Sequence, residues 1–168
     1  GTSAGGAVQS RAMIADYSRN FAAGNALEYS TYVGGSSSEY WAMVAIEPTG
    51  HAWIVGHTAS ADFPVKSPIQ ATKANPGNPD DADLFIARIV PDGSNTTFGT
   101  YLGGSSSEYP FDIALDANQN PVITGATSST NFPTTAGVLQ PAYGGGVTGG
   151  LPHGDAFYSA LSAFQGPF

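Results

Sequence analysis

The sequence predicts an all-β chain of four-stranded antiparallel units that is incomplete by itself. Three observations predict it. Thr31-Tyr32-Val33-Gly34-Gly35-Ser36-Ser37-Ser38-Glu39-Tyr40 returns 69 residues later as Thr100-Tyr101-Leu102-Gly103-Gly104-Ser105-Ser106-Ser107-Glu108-Tyr109, with Val33 against Leu102 the one difference. Repetition of this kind marks an architecture of stacked supersecondary units. Apolar residues alternate over short runs, the period of a half-buried strand. Turn formers are dense, with 22 Gly and 12 Pro in 168 residues, and they separate those runs.

The elements follow in order. Ala12-Met13-Ile14-Ala15-Asp16-Tyr17 reads as a weak copy of a later strand. Glu28-Tyr29-Ser30-Thr31-Tyr32 runs into the Gly34-Gly35 turn. Ala42-Met43-Val44-Ala45-Ile46 places Val44 and Ile46 on one face and Ala45 on the other. The turn Glu47-Pro48-Thr49-Gly50 joins it to Ala52-Trp53-Ile54-Val55-Gly56 as an antiparallel hairpin. Asp62 precedes Phe63-Pro64, and a residue before proline is pushed out of the helical region, so a turn is expected there. A variable loop holds Asn75-Pro76-Gly77-Asn78-Pro79. Asp83-Leu84-Phe85-Ile86-Ala87-Arg88-Ile89 and Phe98-Gly99-Thr100-Tyr101 complete four strands.

The second copy repeats the scheme. Phe111-Asp112-Ile113-Ala114-Leu115, the turn Asp116-Ala117-Asn118-Gln119 and Pro121-Val122-Ile123-Thr124-Gly125 form its hairpin. Thr127–Pro133 matches Thr58–Pro64, Gly144-Gly145-Gly146 lies in the variable loop, and Asp155–Leu161 matches Asp83–Ile89. No segment carries a 3.6-residue apolar stripe. Short meandering strands with a glycine-rich turn per unit suggest β-propeller-type blades.

The blades number about two plus a spare strand. A partial blade is expected over residues 10–35, a full blade over 36–104 and a partial blade over 105–168. Two, four and three strands cannot close a ring of ~4–8 four-stranded blades. Each Val, Ile, Leu or Phe left wet on an open flank forgoes about 1.5–3 kcal/mol. Neighbouring polypeptide is therefore expected to complete the sheets: the rest of a longer propeller, a ring of several chains, or a filament built by strand addition. The residues expected to carry assembly are Asp155, Phe157, Tyr158, Leu161 and Phe164 at one end and Met13 and Ile14 at the other.

Charge narrows the partners. The formal net charge is -8, with five basic residues, which argues against a nucleic-acid backbone or an anionic membrane surface. No apolar run approaches the ~20 residues that span a bilayer, so no membrane insertion is expected. Cysteine is absent, which excludes disulfides, thiolate catalysis and Cys-based metal sites. Abundant Ser, Thr, Gly and Asn with little Lys suggest a secreted or cell-surface protein.

Repetition also weighs candidate chemistry. Residues present in both copies, such as Tyr32/Tyr101 and Tyr40/Tyr109, belong first to the framework. The Ser36–Ser38 and Ser105–Ser107 runs read as turns whose hydroxyls bond local backbone. No nucleophile stands beside a base and an orienting partner, so no enzyme activity and no cofactor are expected. His51, His57 and His153 form no ligand spacing. Asp116–Asn120 resembles part of a calcium loop but lacks its glycine and distal glutamate; a hairpin turn explains it better. Asp80, Asp81 and Asp83 are the densest carboxylates and the one candidate cation site. Trp41 and Trp53, with Tyr40 and Tyr109, are candidates for stacking a sugar ring, making a glycan the alternative partner.

The pattern resembles the SBBP family, a bacterial seven-bladed β-propeller repeat. The residues that carry the resemblance are Ser30-Thr31-Tyr32-Val33-Gly34-Gly35, Ala45-Ile46 and Ala114-Leu115-Asp116, Val55-Gly56 and Thr124-Gly125, Asn131-Phe132-Pro133-Thr134-Thr135, and Asp83-Leu84-Phe85-Ile86-Ala87-Arg88. They span most of residues 10–165. The resemblance implies a propeller in a secreted or surface protein of bacteria and implies no shared active site. The copy near Arg11–Ser18 departs from it in lacking the leading Asp, and Asp155–Phe168 stops short of its Gly-Gly turn.

Overall fold

A computed structural model describes residues 12–15, 27–78, 80–145 and 154–162. It is all-β, with nine strands among the described residues: β1 (Ala12–Ala15), β2 (Ser30–Val33), β3 (Glu39–Ile46), β4 (Ala52–Thr58), β5 (Asp83–Ile89), β6 (Thr96–Leu102), β7 (Glu108–Leu115), β8 (Pro121–Thr127) and β9 (Asp155–Ala160). They form a two-stranded sheet β1-β2, a four-stranded sheet β3-β4-β5-β6 and a three-stranded sheet β7-β8-β9, each antiparallel with sequential neighbours. Among the described residues no helix is long and apolar enough to cross a membrane.

Strand periodicity distributes the core. Trp53, Val55, Leu84, Ile86, Phe98 and Leu102 leave one face of the four-stranded sheet and meet Ile113, Ile123, Phe157 and Leu161 of the three-stranded sheet. The alternate residues Ile54, Phe85, Ala87, Ile89 and Tyr101 leave the other face and gather with Phe63 and Val33. Thus β4 and β5 are buried on both faces, which explains why both read as almost unbroken apolar runs.

The hairpin turns differ in chemistry but share geometry. Gly50 (φ 85°) and Gln119 (φ 64°) hold the same left-handed position. In the second turn Asp116 Oδ1 accepts from the backbone N–H of Asn118 and Asn120, both at 2.8 Å. This is the hairpin turn expected for Asp116–Asn120. In the first turn Glu47 is buried and accepts from Arg88 Nε and Nη2, both at 2.6 Å, from Trp53 Nε1 at 2.8 Å and from Thr49 Oγ1 at 2.8 Å. Burial pushes the Glu47 carboxyl up, but the hydrogen bonds from Arg88, Thr49 and Trp53 and the Arg88 charge together hold the group below its ordinary value.

Candidate functional site

The repeated Gly-Gly-Ser-Ser-Ser-Glu segment forms a clasp. Glu39 Oε1 accepts from Gly35 N (3.2 Å), Thr58 Oγ1 (2.9 Å) and Ser60 Oγ (2.5 Å). Glu108 accepts from Gly104 N (3.2 Å) and Thr127 Oγ1 (2.7 Å). Ser36 N and Ser37 N donate to Asp62 Oδ1 and Ser60 Oγ, as Ser105 N and Ser106 N donate to Asn131 Oδ1 and Ser129 Oγ. The serine runs were expected to bond local backbone. They instead offer their own backbone N–H groups to side chains 23–26 residues away, because a chain that leaves one sheet for the next needs distant acceptors. The clasp is framework, and its buried glutamates were not singled out from sequence. Their presence in both copies was the available signal.

Beside the clasp, a long loop caps the outer edge of the four-stranded sheet. Lys66 and Gln70 bridge to Gly99 and Tyr101 of β6. The Tyr101 hydroxyl donates to Ser60 O (2.9 Å) and accepts from Phe63 N (2.8 Å). Phe63 stacks on Phe85 with ring centroids 4.8 Å apart. Thr100 Oγ1 accepts from Gln70 N, while Gln70 Nε2 and Ala74 N donate to Asp83 Oδ2.

The three-stranded sheet repeats this arrangement, with no outermost strand among the described residues. Phe132 stacks on Phe157, again at 4.8 Å. Gln140 Nε2 and Gly144 N donate to Asp155 Oδ2. At the place that β6 takes in the larger sheet, a groove of about 980 Å³ opens between β9, the loop that carries Phe132, Leu139 and Tyr143, and the face of the four-stranded sheet at Ile86, Phe98 and Leu102. Its walls include Ser129, Phe157 and Tyr158.

The opposite flank is open too. Val44 is 50% exposed, while Ile113, at the same position of the repeat, is 7% exposed. Ile46 is likewise exposed. β2 lies along the same side: Val33 is buried in the core there, and the Tyr29 ring sits against Gly93 in the β5–β6 turn. Tyr32, between them, is 70% exposed.

The residues expected to carry assembly are therefore divided. Phe157 and Leu161 belong to the core between the two larger sheets, because alternation along β9 turns them inward. Phe157 still forms a wall of the groove. Tyr158 points out, and Asp155 is held by Gln140 and Gly144. Met13 and Ile14 pair with Tyr32 and Thr31 through β1. Phe164 and His153 lie outside the described residues.

The aromatic candidates divide as well. Trp53 is 1% exposed and donates to Glu47. It offers no face to a sugar, because its position on doubly covered β4 faces the core. Trp41, Tyr40 and Tyr109 do come together. Trp41 is 59% exposed and sits at a β-bulge with φ 50°, a left-handed conformation that costs a bulky residue about 1–2 kcal/mol. Its ring stacks on His57 at 5.6 Å and tilts against Tyr109 at 5.5 Å. Tyr40 flanks His57 at 5.8 Å. A shallow cavity of about 390 Å³ runs from Trp41 past Met43 to Phe111. His57 is buried with both ring nitrogens lacking a hydrogen-bond partner, and burial, with the Lys73 charge second, pushes its pKa down to about 4. It is thus a neutral imidazole near pH 7.

The carboxylate candidates do not converge. Asp81 accepts from Asn75 and Asn78, Asp83 accepts from Gln70 and Ala74, and Asp80 N donates to Asn78. Among the described residues no group of three or more His, Cys, Asp or Glu is placed to hold a metal ion. Strand β5 carries Asp83 into the sheet while the loop keeps Asp80 and Asp81.

Comparison of the chain with family models, with curated proteins and with solved structures yields no match.

Proposed function

We propose that the chain is a non-enzymatic module of β-propeller-type blades, akin to the SBBP repeat, that acts as a structural subunit outside the cell and is completed by neighbouring polypeptide. The observation that carries this reading is the pair Val44 and Ile113: one position of the repeat, exposed where, among the described residues, no inner strands precede it and buried where they do. Branched apolar side chains at such a position favour a covering sheet by about 1.5–3 kcal/mol each. The edge of β9 that no described strand pairs points the same way, since unpaired strand edges invite strand addition. The ring or filament that results is the working form. Val44→Lys with Ile46→Lys tests the reading: negative-stain electron microscopy of the parent should show rings or filaments, and the doubly substituted protein should show neither while keeping its β-sheet circular dichroism. Unchanged particles would overturn it.

A second reading, glycan binding, is favoured by one arrangement. Trp41 offers an exposed ring in a strained backbone position, above a buried His57 whose nitrogens lack partners. A sugar would stack its apolar face on the indole. A glycan array with the parent and Trp41→Ala tests this; a parent without array signal removes it.

A further inference from the structure

We propose that the groove beside β9 takes β2 of a second copy of this chain, so that each subunit supplies the outermost strand of its neighbour's three-stranded sheet. The inference rests on the completion reading above and names its partner strand. The four-stranded sheet shows what the groove is built to hold. There β6 pairs with β5 as Leu84↔Leu102, Phe85↔Tyr101 and Ile86↔Thr100. Asp155 holds the place of Asp83, since each pairs with the last residue of the preceding strand, Thr127 and Thr58. The same register on β9 gives Ala156↔Val33, Phe157↔Tyr32 and Tyr158↔Thr31.

Each side chain of β2 then meets a preformed counterpart. Tyr32 enters the slot beside the Phe132–Phe157 stack, as Tyr101 lies edge-on to Phe63 at 6.0 Å in the complete sheet. Its hydroxyl reaches Ser129 O and Phe132 N, as Tyr101 reaches Ser60 O and Phe63 N. Thr31 takes the backbone N–H of Gln140, as Thr100 takes that of Gln70. Gly34 follows on, as Gly103 N donates to Gln70 Oε1. The sequence Ser30-Thr31-Tyr32-Val33-Gly34-Gly35 is the one described strand, besides β6 itself, that meets these demands.

The donor is already presented for this. Val33 and Tyr29 fasten β2 to its own four-stranded sheet, leaving Tyr32 turned to the other side. A neighbour that docks there brings β7 and β8 over Val44 and Ile46, covering both open surfaces in one contact. β1 occupies the β2 edge in the single chain, pairing Met13 with Tyr32, so β9 of the neighbour must displace it. The contact is heterologous, each copy giving at one end and receiving at the other, which propagates to a ring or filament.

The absence of cysteine in the chain makes the test direct. Thr31→Cys and Tyr158→Cys are made in separate proteins, mixed and oxidised, so only chains of different copies can join. Opposed cysteines across a strand pair lie within disulfide reach. The expected result is a cross-linked dimer on non-reducing gels, absent when Tyr158→Cys is replaced by Ala160→Cys, two residues out of register. Tyr32→Ala should weaken self-association by about 30-fold or more, as loss of a buried aromatic anchor does. Assembly that persists without the in-register cross-link would overturn the strand assignment while leaving the completion reading standing. A chain that never assembles would overturn both.

Discussion

Asp83 and Glu108 meet across Gly103. A β-carbon on that glycine would lie 2.5 Å from both Asp83 Cγ and Glu108 Oε2, so only glycine lets the chain leaving β6 pass between the two carboxyl groups. Both acids are fully buried, and Asp83 Oδ1 has no hydrogen-bond partner. Burial pushes both upward, Glu108 to about 7, with the Asp83 charge a smaller contribution to the rise.

Stability should therefore depend on pH, with Glu108 and Asp83 acting in one direction and His57 in the other. Between pH 4.5 and about 7 folded Glu108 keeps a proton that the unfolded chain has released, so stability falls as pH rises, by up to about 3 kcal/mol. Between pH 6.5 and about 4 folded His57 refuses a proton that the unfolded chain takes up, so stability falls as pH falls. The two offset each other where the windows overlap. Relative to the parent, Glu108→Gln should remove the decline between pH 4.5 and about 7, and His57→Ala should remove the climb between about pH 4 and 6.5. Urea melts across this range check both; parallel curves for the parent and both variants would contradict the assignment.

Glu39→Ala should destabilise by about 3 kcal/mol. It strips one acceptor from Gly35 N, Thr58 Oγ1 and Ser60 Oγ in a buried turn, and each orphaned group costs about 1–3 kcal/mol before relaxation. The urea midpoint should drop with the slope unchanged.

Arg88→Met should cost about 3 kcal/mol, because it leaves the Glu47 carboxylate buried with its main counter-charge gone. Arg88 also lies 6.0 Å from the Trp53 ring, so some packing goes with it. The double variant Glu47→Gln/Arg88→Met should be more stable than Arg88→Met alone, which a double-mutant cycle reads directly.

Ile113→Lys should unfold the contact between the two larger sheets, whereas Val44→Lys should leave the fold intact. The same substitution at one repeat position thus separates stability from assembly. Thermal melts should show a loss at Ile113 of several kcal/mol for a charge placed in the core, and little change at Val44.

Much of this fold was legible because repetition and periodicity act locally. The Tyr32/Tyr101 motif located the strand junctions, and alternation along Trp53–Val55 and Leu84–Ile89 separated the faces. What escaped depends on contacts between distant segments. Nothing local marks Glu39 and Glu108, because their partners lie 19–21 residues away along the chain. Trp53 looked equivalent to Trp41 until Glu47 and Phe98 enclosed it. Asp83 looked like one member of an acidic cluster, and strand β5 removes it from the others. The groove could be anticipated only as a missing strand; its preformed Phe132–Phe157 slot appears in three dimensions alone.

The central claim is that these sheets are completed by polypeptide from a neighbour. Sedimentation equilibrium of the purified chain over a wide concentration range tests it most directly. Multiples of the 17.1 kDa chain mass, shifting with concentration, are the expected result. A single species at one chain mass throughout, with Val44 and Tyr32 still open to solvent, would contradict it.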